Sequence, residues 1–191
     1  MPQPNPAAIA FLAERRSYPA KFFVGPVPSQ AELTPILAAA LRVPDHGKLE
    51  PWRLIVLGRA DLVRLADLAE TIARENGAPP EQIEKGRGQF DRSALAVVVI
   101  STPKDTAKVP LTEQRASAAA LCFGLVNAAT AAGWGANWLT GWVAHDVQFS
   151  ARAFGSTAEE CIAGIVHIGT PGAEAPDRPR PDPSRIVQWG L

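Results

Sequence analysis

A prevailing charge is missing from this chain. Its 19 Lys and Arg residues balance 19 Asp and Glu in a length of 191, which gives no support to nucleic-acid binding or to an anionic membrane surface as partner. Cysteine is scarce: Cys122 and Cys161 lie in apolar surroundings without the spacing of a metal or redox motif, so a packing role is expected for both. The three histidines, at positions 46, 145 and 167, are scattered, and that argues against a metal centre. Aromatic residues reach only 7 %, although five of them are Trp. No Ser-His-Asp or paired-carboxylate pattern is evident. The start of the chain lacks the basic-then-apolar pattern of a secretory leader, so a cytoplasmic protein is expected.

What is present is an ordinary globular composition, 47 % apolar and 20 % charged, in a length suited to one domain over 1–191 with a sizeable core. The most informative stretch is 115–144, which carries no formal charge after Arg115. Its first half is Ala-rich, with apolar residues on every side. Such a helix either crosses a membrane or forms the buried axis of a core. Ser117, Asn127, Thr130 and glycines at 124, 133 and 135 speak for the second. A helix over 111–132 would be roughly 33 Å long. Covering it on all sides in so small a chain calls for a second subunit.

Asn5-Pro6 opens a helix that ends at Arg15-Arg16-Ser17, because Tyr18 precedes a proline. Ser29 and Glu32 form a capping box for a helix to about Arg42, in which Pro35 predicts a kink or a late restart. Apolar runs predict strands at 52–57, 94–101 and 161–168, with a further short strand at 138–143. Amphipathic spacing predicts a helix over 61–76, a short charged one from Pro80 to about Gln89, and one capped by Asp146 that ends at Phe154-Gly155. The Pro-rich segment after Gly172 should be an extended arm without helix, ending in an apolar tip at 186–191.

Three polar clusters stand at the edges of apolar elements. Arg15-Arg16-Ser17 offers two guanidinium forks and a hydroxyl, a set able to grip a phosphate. Arg42 with Asp45-His46-Gly47-Lys48 occupies a loop between a helix and a buried strand. The stretch 135–141, with Asn137, Trp138 and Thr140 between glycines, lets backbone approach a ligand closely. Each, taken alone, is also compatible with a solvated helix end, a turn or simple packing.

In this order, RRS, PDHGKLEPWRLIVL, a long Ala-rich helix ending GWGANWLTG, and IVHIGTPG resemble the nitroreductase family of FMN-dependent oxidoreductases, and its small bacterial subgroup most closely. The resemblance runs over nearly the whole chain. It implies an α+β fold with a central, mostly antiparallel sheet flanked by helices. It also implies a homodimer in which the arm at 172–191 is exchanged, with FMN bound at the interface. Arg15 and Ser17 match the residues that hold the FMN phosphate and ribityl end, and Arg16 matches one that contributes backbone contacts. Arg42 and His46 match further FMN contacts. Trp138, Leu139 and Thr140 match a segment lying against the cofactor, and Arg178 and Arg180 fall where a late basic pair completes the phosphate site. One departure concerns the basic residue that the family places shortly after the motif's Ser, near flavin N1. Pro19 and Ala20 occupy those positions here, which leaves Lys21 or Lys48 as substitutes.

The activity implied is ping-pong transfer: NAD(P)H passes hydride to flavin N5, and a nitroaromatic, quinone or similar small acceptor then takes the electrons from the same pocket. The chemistry is the cofactor's, so no catalytic side chain is expected. The loop 102–109 offers no pair of arginines for a 2′-phosphate, so weak discrimination between NADH and NADPH is expected. The missing basic residue keeps open a protein that only stores or senses FMN, and beyond it a structural dimer that has lost the cofactor.

Overall fold

The computed structural model describes residues 3–190. The ends of the expected 1–191 domain and of the 186–191 tip, Met1, Pro2 and Leu191, lie outside the described residues.

Helix α1 (Pro6–Glu14) starts where Asn5 caps it, the side chain accepting from the Ala8 N–H at 3.1 Å. A 3₁₀ turn (Ala20–Phe22) leads into the two-residue strand β1 (Phe23–Val24). Helix α2 (Gln30–Ala40) has both halves of the Ser29–Glu32 capping box. It runs through Pro35 without the expected restart. The proline ring sits on the exposed face, and only one helical hydrogen bond is forfeited, while Leu33, Ile36 and Ala40 are buried on the other face. Strand β2 (Trp52–Gly58), α3 (Arg59–Glu75), α4 (Pro80–Arg87), β3 (Leu95–Ser101) and α5 (Leu111–Ala131) follow the expected order.

The fourth strand departs from expectation. It is β4 (Gly135–Leu139), and 142–145 is a helical turn, α6 (Trp142–His145), where strand was predicted. Gly135 is what lets β4 begin so early: a Cβ there would meet Phe23 and Pro171 at 2.8 and 2.9 Å. Helix α7 (Val147–Phe154), capped by Asp146 and closed by Gly155 at φ 63°, and β5 (Cys161–Pro171) complete the core. The arm is extended apart from one 3₁₀ turn at Pro183–Arg185, which the sequence reading had excluded. There Asp182 caps a turn opened by Pro183.

All strand pairings are antiparallel. The sheet order is β1-β5-β3-β2, with β4 also paired to β5. Strand β3 is buried on both faces, which explains its unbroken β-branched sequence. Ala96, Val98 and Ile100 face a core built with Leu62, Leu65 and Ile72 of α3 and Phe149 of α7. Val97 and Val99 face Leu33 and Ile36 of α2 and Leu121 and Leu125 of α5. The fold is therefore α+β, a five-stranded sheet between two helical layers.

Within one chain α5 is not covered on all sides; the sequence expectation assigns the uncovered side to a second subunit. Ala118, Leu121, Leu125 and Ala129 are fully buried, whereas Ala116, Phe123 and Ala131 on the opposite side are exposed. Helix α1, apolar along most of its length, has no buried residue.

Candidate functional site

The N-terminal motif forms one wall of a polar cleft. The chain leaves α1 at Arg15, whose N–H still reaches the Phe11 carbonyl at 2.8 Å, and Tyr18 then ties the segment to β4 by donating to the Ala136 carbonyl at 3.0 Å. Arg15 lies with its guanidinium 5.8 Å from the centre of the Phe123 ring, within cation–π range, and donates to Ser17 Oγ at 3.4 Å. The arm returns to close the other side. Arg16 Nη1 meets Asp177 Oδ1 at 3.1 Å, and Arg180 Nη2 approaches the same oxygen at 3.8 Å. Arg15, Arg16, Ser17, Asp177, Arg178 and Arg180 together line a cavity of about 170 Å³.

Two features of this cleft point to an anionic occupant. The Nε–H groups of Arg15 and Arg16 are buried and have no acceptor among the described residues. A desolvated guanidinium N–H without a partner is costly, and a multi-oxygen anion is the group that satisfies several at once. In addition, four arginines and one acid line the cleft, and burial first and the charge of Arg180 second pull the Arg15 pKa below its usual value. The residues fit the phosphate of a mononucleotide such as FMN.

The segment 138–140 is held elsewhere on the same sheet edge. Trp138 donates its indole N–H to the Ala163 carbonyl at 3.2 Å and packs on Gly164, where a Cβ would also press Cys122 Sγ at 2.8 Å. Leu139 ends β4, Thr140 is exposed, and the Gly141 N–H donates to Gln89 Oε1 at 3.3 Å, which fixes the exit from the strand. Burial pushes the Cys122 thiol up to about 12, so it packs and does not react at neutral pH.

The loop 42–50 is a third, separate place. Arg42 follows α2 and is exposed. The Asp45 carboxylate accepts from the Leu49 and Glu50 N–H groups at 3.0 and 2.9 Å, winding a turn that puts Gly47, Lys48 and Glu50 at positive φ. His46 Nδ1 pairs with Glu113 Oε2 at 2.7 Å. Ser117 of α5 clamps the loop, donating to the Pro44 carbonyl at 2.6 Å while accepting from Trp52 Nε1 at 3.1 Å. Within one chain neither this loop nor 138–140 lines the Arg15 cleft; the structure joins the N-terminal motif only to the late arginines.

Sequence reasoning missed Asp177, whose signal was an acid directly before the Arg178–Arg180 pair, and Ser117, a lone hydroxyl in an apolar helix. It also missed His167, fully buried on β5 beside Ser93. Ser93 Oγ lies 2.7 Å from the imidazole Nδ1 and 3.0 Å from the Leu95 carbonyl, while Nε2 has no hydrogen-bond partner among the described residues. Burial, opposed in part by the Gln89 backbone, lowers the ring's pKa to about 4. Among the described residues no group of His, Cys, Asp and Glu is arranged to hold a metal, and no helix is long and apolar enough to cross a membrane.

Fold and cleft thus define an α+β protein with an arginine-lined cleft beside an antiparallel sheet. Residues 12–170 match the Nitroreductase family, and the chain belongs to that family of oxidoreductases. It is 31 % identical over 183 residues to a protein of Escherichia coli strain K12 named "Putative NAD(P)H nitroreductase YdjA", covering 95 % of this chain and 98 % of that one. A Haemophilus influenzae protein, likewise named as an NAD(P)H nitroreductase, is 34 % identical over 90 % of this chain and 91 % of its own. The fold is similar to that of a nitroreductase-like family protein from Bacillus cereus, with a TM-score of 0.78 at 22 % identity over 99 % and 98 % of the two chains. It is also similar to an FMN-dependent nitroreductase from Clostridium difficile, with a TM-score of 0.70 at 19 % identity over 96 % and 99 %.

Proposed function

We propose that this protein is an FMN-dependent oxidoreductase that passes electrons from NADH or NADPH to a nitroaromatic, quinone or similar small acceptor, working as a cytoplasmic homodimer. The observation that carries the reading is the pair of buried Nε–H groups of Arg15 and Arg16, without acceptors in a cleft that also holds Arg178, Arg180 and Ser17. The names of the relatives support the donor and the type of acceptor. The Clostridium difficile structure, through its name, supports FMN.

In this reading Arg15, Arg16, Ser17, Arg178 and Arg180 hold the phosphate. Trp138, Leu139 and Thr140, exposed or half-buried in one chain, would lie against the bound flavin. Arg42, His46 and Lys48 do not line the phosphate cleft of their own chain, so their contacts are assigned across a dimer interface. The apolar helix α1 with Ile9 68 % exposed, the open side of α5 around Phe123, and the arm ending in Ile186 and Trp189 give that interface its surface. Bound FMN supplies hydride chemistry at its N5 atom. Lys21, 4.9 Å from the centre of the Phe22 ring, or Lys48 of the 42–50 loop would supply the positive charge that the family places near flavin N1.

The phosphate assignment is tested with Arg15→Ala. Loss of a charge-assisted hydrogen bond should weaken FMN by about 1.5–3 kcal/mol and riboflavin, which has no phosphate, by much less. Equal weakening of the two flavins would refute it.

A further inference from the structure

Asp177 has no place in a cleft built only to hold phosphate. Its carboxylate stands between the guanidinium groups of Arg16 and Arg180, with one oxygen, Oδ1, at 3.1 Å from Arg16 Nη1 and 3.8 Å from Arg180 Nη2. The same oxygen accepts from the Arg178 N–H at 2.9 Å. An incoming phosphate needs those same donors. We propose that Asp177 is a tethered counter-ion of the phosphate cleft, holding Arg16 and Arg180 together in the flavin-free protein and setting the affinity for FMN by competing with its phosphate. The proposal rests on the reading of the cleft as a phosphate site.

Three observations carry it beyond a surface ion pair. The two partners are unequally buried: the Arg16 side chain is 19 % exposed and that of Asp177 80 %. The carboxylate can therefore swing into water at little cost while the guanidinium stays. The arm segment also places its acid and its bases one and three residues apart, so the groups that recruit phosphate and the group that opposes it move as one unit. Finally, Asp177 uses Arg16 only through Nη1, leaving both buried Nε–H groups unsatisfied. A carboxylate with its second oxygen turned elsewhere is a poor filler for a cleft whose donors a phosphate engages more fully. The result is a pocket whose arginines are kept from repelling one another before loading, but not neutralised so well that loading is blocked.

The size of the effect follows from Coulomb attraction at the surface. Two unit charges about 4 Å apart in water interact by the equivalent of about fivefold in an equilibrium constant. A phosphate near neutral pH carries between one and two charges. Removing the competing carboxylate should therefore tighten FMN by roughly fivefold to thirtyfold at low ionic strength, and by less in high salt.

The experiment measures equilibrium binding of FMN and of riboflavin to the flavin-free full-length protein, in wild type, D177N, D177E and R15A, at low and high salt. The expected result is tighter FMN binding in D177N, riboflavin within twofold of wild type, D177E close to wild type, and a smaller FMN gain in high salt. If D177N leaves FMN unchanged or weakens it while R15A still loses FMN selectively, Asp177 is not a competitor and the phosphate reading survives. If R15A weakens both flavins equally, the phosphate reading and the counter-ion role fall together. D177E separates charge from fold, since it keeps the carboxylate while adding a methylene, a larger change of shape than the near-isosteric D177N.

Discussion

Replacing Ser117 with alanine removes one hydroxyl from the middle of the chain's longest helix, and the structure says what should follow. That hydroxyl ties α5 to both ends of the loop 44–52, alongside the His46–Glu113 pair. It donates to the Pro44 carbonyl at 2.6 Å and accepts from the Trp52 indole at 3.1 Å. Alanine strands both partners. A buried group without its hydrogen bond costs about 1–3 kcal/mol. Pro44 is exposed, so water can reach its carbonyl and the lower end applies; Trp52 is half-buried and falls nearer the middle. Against a sum of about 3 kcal/mol stands roughly 0.5 kcal/mol from the better helix propensity of alanine. The net expectation is a destabilisation of about 2.5 kcal/mol, or a melting temperature lower by about 5–10 °C for a domain of this size. Urea unfolding followed by Trp fluorescence, at one fixed protein concentration because a dimer's stability depends on it, measures the difference. A change below about 0.5 kcal/mol, the range of featureless surface substitutions, would mean that the loop is positioned by something other than this clamp.

Gly164→Ala should displace Trp138, because the added Cβ points into the indole and Cys122 Sγ; overpacking of this kind costs about 1–3 kcal/mol, and flavin affinity should fall with it. Unchanged thermal stability and flavin binding would dissociate Trp138 from both. His167 makes stability pH-dependent: its folded pKa, near 4, lies below the unfolded value of about 6.5, so the unfolded chain binds the extra proton between the two. Stability is therefore full above the unfolded pKa and falls as pH drops from about 6.5 toward 4, by up to roughly 3 kcal/mol. Denaturant melts across that window should show a shallower slope in His167→Gln, and identical slopes would reject the assignment. Truncation after Pro176 removes Asp177, Arg178, Arg180 and the exposed Ile186 and Trp189. Sedimentation and flavin titration should show both dimerisation and FMN binding lost, and a truncated dimer that still holds FMN would contradict the arm's assigned role.

Much of the architecture was legible because it rests on local rules. The continuous apolar run of β3 announces a strand buried on both faces, and Ser29 with Glu32 announces the start of α2. Where the reading failed, a tertiary contact had overruled the local signal. The sequence 138–143 looks like a strand, yet pairing with β5 takes up Gly135–Leu139, and Gly135 is needed where Phe23 and Pro171 crowd the backbone. Pro35 breaks helices in general, but here its ring meets solvent. The cleft was legible in halves. Arg15-Arg16-Ser17 and Arg178 with Arg180 were both visible, but only the fold sets them around one cavity, and nothing local marked Asp177 as part of it. The open side of α5 was visible as a charge-free helix, although one chain covers only half of it.

Whether these halves serve a flavin is decided most directly by one optical experiment. The full-length protein, supplied with FMN and freed of excess, is titrated with NADH or NADPH in the absence of oxygen while its visible spectrum is followed. The account predicts the absorption of one oxidised flavin per chain, bleached by either nucleotide with rates within about tenfold of each other, equivalent to roughly 1.4 kcal/mol, and restored by a nitroaromatic or quinone. A protein that retains no FMN, or retains it and is reduced by neither nucleotide, would contradict the account.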